Sequence, residues 1–120
     1  MIRPPQELLD LLRADGLIPA KEASTLAGYS STTGSVDSKM WRVPCLRIKR
    51  SQTSRAQSSW FYRDVVLRLR PCLANRGMST RSPGWKAALG KATDLHEEKA
   101  QWTVRKIQRA GLSVWVAARP

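Results

Sequence analysis

Proline and glycine punctuate the first seventy residues so closely that only short elements fit between them. Gly16, Pro19, Gly28, Pro44 and Pro71 each close or open a segment, because proline cannot continue a helix beyond its first turn and glycine readily adopts the left-handed backbone that ends one. After Pro4-Pro5, Leu8, Leu9, Leu11 and Leu12 recur at helical spacing, which predicts a short amphipathic helix stopping at Gly16. Leu17-Ile18-Pro19 reads as extended, and Pro19 to Gly28 as a two-turn helix with Ala23, Leu26 and Ala27 on one face. Ser30 and Ser31 can cap a third helix whose apolar stripe is Val36, Met40 and Val43, ended by Pro44.

Cys45 to Lys49 alternates apolar and basic residues as a half-exposed strand does, and Arg50 to Ser59 is polar enough for a loop. Trp60-Phe61-Tyr62 predicts a second strand, with Trp60 and Tyr62 sharing one face and Phe61 buried on the other. Asp64 to Leu69 then reads as a helix with Val65, Val66 and Leu69 inward, ending before Pro71.

At 120 residues the chain has room for one small domain with a short appendage. Residues 1–73 form the expected domain, 74–84 a small, polar linker, and 85–120 an extension. Within the extension, Ser82-Pro83 starts a brief helix to Gly90. A second helix follows Asp94, runs to Ala110 with Ala100, Val104 and Ile107 on one face and Trp102 on its flank, and precedes a strand over Leu112 to Ala117. So narrow a stripe, and a strand lacking a partner edge, must pack on the first domain or on a second copy; self-association is the favoured expectation, with truncation after Met78 leaving a folded headpiece.

Charge is distributed as unevenly as the turns. The chain carries a net +12, of which residues 39–81 hold +10: eleven cations, nine of them arginine, against Asp64 alone. Arginine's planar fork suits phosphate and guanine, so this block points to a nucleic acid. With 42% hydrophobic residues and five tryptophans the chain is too apolar to be a disordered basic tail, and no apolar run is long enough for a membrane span. No signal-peptide core opens it, so a reducing cytoplasm is expected for Cys45 and Cys72, read as small core residues. Their spacing fits no metal site, the single histidine, His96, reads as a surface residue, and no glycine-rich phosphate loop is present. Neither an enzyme nor a cofactor is expected.

Residues 17–69 resemble the winged helix-turn-helix family of phage and mobile-element excisionases, prophage regulators and the DNA-binding heads of MerR-type regulators. "LIPAKEASTLAGYS" is similar to the family's leading helix, Pro44 follows Ser30 at the family's interval, "VPCLRIKR" is similar to the first wing strand, and "WFYRDVVLRL" to the aromatic-basic strand and apolar helix that follow. Thr33 matches the recognition helix but Gly34 and Asp37 take its apolar positions, so that helix is expected to start late, at about Gly34 or Ser35. The resemblance implies an α+β fold, a winged helix-turn-helix with a small C-terminal helix-plus-strand extension, and a function in transcription regulation or DNA recombination. Double-stranded DNA is the implied partner, with an integrase, RNA polymerase or a second copy as candidates for the extension.

Ser31, Thr32, Thr33, Ser35 and Lys39 are then the polar candidates on the recognition helix, Arg42 and Arg47 lie at the rim, and Lys49, Arg50 and Arg55 form the wing. Three rivals share the charge: an RNA or single-strand binder stacking bases on Trp41, Trp60 or Tyr62, a basic inhibitor or adaptor docking on an acidic protein, and a structural part of a larger nucleoprotein assembly.

Overall fold

A computed structural model describes residues 6–28, 39–49, 53, 55, 57–75, 77–112 and 115–119. The architecture is α+β. In chain order the elements are α1 (Gln6–Ala14), β1 (Leu17–Pro19), α2 (Ala20–Leu26), a 3-10 turn (Met40–Arg42), β2 (Cys45–Lys49), β3 (Gln57–Tyr62), α3 (Arg63–Ala74), α4 (Pro83–Arg109) and β4 (Trp115–Arg119). The strands form one antiparallel sheet in the order β1-β3-β2-β4.

The punctuation works as expected in the first third. α1 buries Leu8 and Leu12, carries Glu7 in its first turn and Arg13 in its last, and so complements the helix dipole at both ends. Gly28, at φ +94°, ends α2 in the left-handed region. Of the third helix expected over 34–43, residues 34–38 lie outside the described residues; Met40–Arg42 is a single 3-10 turn, with Met40 and Val43 buried.

Strand alternation divides the sheet. Leu46 stands opposite Trp60 and Leu17 opposite Tyr62, so these four share one face. α4 covers that face, since the Tyr62 hydroxyl donates to Thr103 Oγ1. Thr103 donates in turn to Asp15 Oδ2 at 2.7 Å, and the Lys106 ammonium holds Asp15 Oδ1 at 2.6 Å. One polar chain thereby ties β3 and α4 to the residue after α1. Burial, with the Asp15 carboxylate close by, pushes the Tyr62 phenol up to about 12 against the effect of its bond to Thr103.

Four expectations are corrected. α3 does not stop before Pro71 but continues to Ala74. An interior proline costs a helix about 3 kcal/mol; here the last turn buries Leu73 completely, and the Lys39 ammonium binds the carbonyls of Cys72 and Asn75 at its end. The two C-terminal helices are one, α4, running unbroken through exposed Gly90. Its buried stripe, Trp85, Ala92, His96, Ala100, Thr103 and Ile107, keeps a near-heptad spacing along the whole length, and burial on both sides outweighs the roughly 1 kcal/mol that a mid-helix glycine costs.

His96, finally, is not on the surface. It is fully buried, edge-on to Tyr62 with ring centroids 5.5 Å apart, and burial lowers its pKa to about 4. The terminal strand starts later than expected, at Trp115, and takes the free edge of β2.

Candidate nucleic-acid interface

The second face of the sheet carries Cys45, Arg47 and Lys49 from β2, and Gln57, Ser59 and Phe61 from β3. Arg47 stands opposite Ser59 and Lys49 opposite Gln57, so the two cations share one row beside neutral polar groups. Both are partly buried. Arg42 is exposed on the 3-10 turn that leads into β2, and Arg55 is exposed in the connection between β2 and β3. The structure thus assembles Arg42, Arg47, Lys49 and Arg55 along one hairpin and its approach. Ser31, Thr32, Thr33, Ser35 and Arg50 lie outside the described residues.

Lys39 leaves this set. It is only 3% exposed, and its ammonium donates to Cys72 O at 3.1 Å and Asn75 O at 2.5 Å. A group spent on the terminal carbonyls of α3 cannot also read a base edge, because withdrawing it would strand both a buried stem and unpaired carbonyls. The aromatic run is core as well: Trp60, Phe61 and Tyr62 are all buried, so two of the three aromatics a single-strand reading would use are unavailable.

Trp41 is the third, and it is 72% exposed between buried Met40 and exposed Arg42. No periodicity marks it, since the expected helix gave it no assigned face; the only sequence signal was its place beside Arg42. Trp41 borders a cavity of about 190 Å³ between α2, the 3-10 turn and this face of the sheet. Phe61, Met40, Val43 and Cys45 supply apolar lining, while Arg47, Gln57, Ser24 and Ser59 supply polar groups. Arg47 Nε is buried and has no hydrogen-bond partner among the described residues. A larger, shallower depression of about 380 Å³ lies by Lys21, Glu22 and Arg63, where charges of both signs meet.

Among the described residues no cluster of histidine, cysteine or carboxylate side chains could hold a metal ion, and no helix is long and apolar enough to cross a membrane. No family model, curated protein or solved structure matches the chain.

Proposed function

We propose that the chain is a sequence-selective duplex-DNA-binding protein built as a winged helix-turn-helix, serving transcription regulation or the direction of a recombination reaction. The observation that carries this reading is the row of hairpin cations: Arg42, Arg47, Lys49 and Arg55 gathered on one two-stranded ribbon and its approach. The order of elements supports it too. α2 falls on the segment similar to the family's leading helix, β2 and β3 fall on the two wing-strand segments, and α3 follows immediately. In this reading the hairpin lies along the phosphate backbone and reaches a minor groove, while Ser31, Thr32, Thr33 and Ser35 contact the major groove. The C-terminal strand whose need of a partner suggested pairing with a second copy, β4, pairs with β2 of its own chain, so a dimer is not part of the proposal.

The test is fluorescence anisotropy on duplex DNA across a salt titration. With Arg42, Arg47, Lys49, Arg50 and Arg55 on phosphates, log K should fall against log salt with a slope of about −4 to −5. Arg42→Ala with Arg55→Ala should weaken every sequence alike and lower the slope by about 2, whereas Thr33→Ala should cost about 1–3 kcal/mol on the preferred site alone. A slope near zero overturns the proposal.

A further inference from the structure

A backbone-tracking hairpin makes no use of the cavity beneath Trp41. We propose that this cavity receives one unstacked pyrimidine of the bound nucleic acid, its ring against the Trp41 indole and its phosphate on Arg47. The inference rests on the nucleic-acid reading above and adds to it a preference for a locally unpaired base.

Size sets the ligand's bulk. A cavity of roughly 150 Å³ takes one benzene-sized ring, so about 190 Å³ holds one planar base at a time and is filled more readily by a single six-membered ring than by the two fused rings of a purine. Shape and polarity set its kind. An indole 72% exposed at the mouth offers a flat apolar face, which is how sequence-tolerant binders hold bases, and Phe61 lies within. Gln57, Ser24 and Ser59 bring an amide and two hydroxyls, able both to donate and to accept, which matches the mixed edge of a pyrimidine.

Arg47 sets the charge. A guanidinium whose buried Nε has no acceptor among the described residues is under-satisfied within the protein, and because Arg47 is partly exposed its outer nitrogens can take an anionic oxygen at the cavity mouth. Among the described residues no carboxylate lines the cavity to supply that oxygen from within, and exposed Arg42 follows Trp41 directly in sequence. A planar ring carrying an anion is therefore the complementary ligand. A nucleotide has that chemistry, and so does a free aromatic acid; the DNA-facing cations around the cavity favour the nucleotide.

Three probes separate the possibilities by anisotropy at one salt concentration: a continuous duplex, the same duplex with one extra thymidine, and the same with one extra adenosine. Extrusion of a bulged base costs little, so the pocket should read directly as preference. The wild-type protein should bind the thymidine bulge at least tenfold tighter than the continuous duplex and several-fold tighter than the adenosine bulge. Trp41→Ala should erase that preference while changing continuous-duplex affinity less than twofold; its side chain is exposed, and circular dichroism will verify the fold. Arg47→Lys, which keeps the charge but loses Nε, should reduce the preference severalfold.

Equal binding to bulged and continuous duplexes overturns the pocket while leaving the duplex reading intact, as does an equal loss on all probes with Trp41→Ala. Calorimetric binding of benzoate that the thymidine bulge does not displace also overturns it, in favour of a small-molecule site. Failure to bind any of the three nucleic acids overturns both readings.

Discussion

Removing the ammonium of Lys39 should unfold the protein more readily without touching DNA recognition. Lys39→Met is the cleanest perturbation, since methionine keeps the apolar stem in its buried place and deletes only the charge. The ammonium donates to Cys72 O and Asn75 O at the end of a helix already weakened by Pro71. Hydrogen bonds with a charged partner contribute about 1.5–3 kcal/mol each, and a cation at a helix C-terminus adds about 0.5 kcal/mol. Against this stand the desolvation of the ammonium and the ordering of a flexible side chain, together about 2–3 kcal/mol. The net loss should be about 2 kcal/mol, or roughly 8 °C in Tm for a domain of this size. Urea unfolding followed by far-ultraviolet circular dichroism measures it, with an unchanged m-value. Stability within 0.5 kcal/mol of wild type, together with a loss of affinity on a preferred DNA site, would refute the argument and return Lys39 to the binding surface.

The remaining expectations concern the helices around that contact. With His96 lowered to about 4 in the fold and near 6.5 in the unfolded chain, the unfolded state takes up its proton first; stability is full above pH 6.5, declines as pH falls to about 4, and the loss approaches about 3 kcal/mol. His96→Leu should flatten that decline in urea titrations at each pH, and an unchanged decline would place its origin in other groups. Pro71→Ala restores an N–H to the interior of α3 and should stabilise by about 1–2 kcal/mol after the proline's effect on the unfolded chain is deducted; a destabilised variant would show that the proline ring is needed for packing. Truncation after Arg81 removes Trp85, His96 and Ile107 from the core and β4 from the sheet, so it should abolish the cooperative thermal transition, and a sharp melt of the fragment would make residues 1–81 an independent domain.

Elements bounded by proline or glycine were legible because their limits are local: nothing beyond Gly16, Gly28 and Pro44 is needed to place α1, α2 and β2. What escaped reading is the polar interior. Lys39 and His96 look like surface residues to any hydrophobic pattern, and Thr103 breaks the stripe of α4 that Trp85 and Ile107 define. Lys39 and Thr103 are buried because of partners far along the chain, carbonyls thirty-three and thirty-six residues away for Lys39, Tyr62 and Asp15 for Thr103, while His96 packs edge-on against Tyr62. Periodicity carries no information about such partners, so the continuous helix was divided at Gly90 and Asp94, where local propensity is weakest.

The site divides along the same line. Arg47 and Lys49 on one face follow from strand alternation alone. That Trp41 stands exposed over a cavity depends instead on where α2, Met40 and Phe61 meet, which only the assembled fold decides. A basic block in a sequence is therefore an upper bound on a binding surface: the fold withdraws Lys39 to cap a helix, half-buries Arg47 with an unpaired nitrogen, and leaves Arg42 and Arg55 in solvent. Of these, the unpaired nitrogen is the most informative, because exposed cations are stable without a ligand whereas a buried N–H is not.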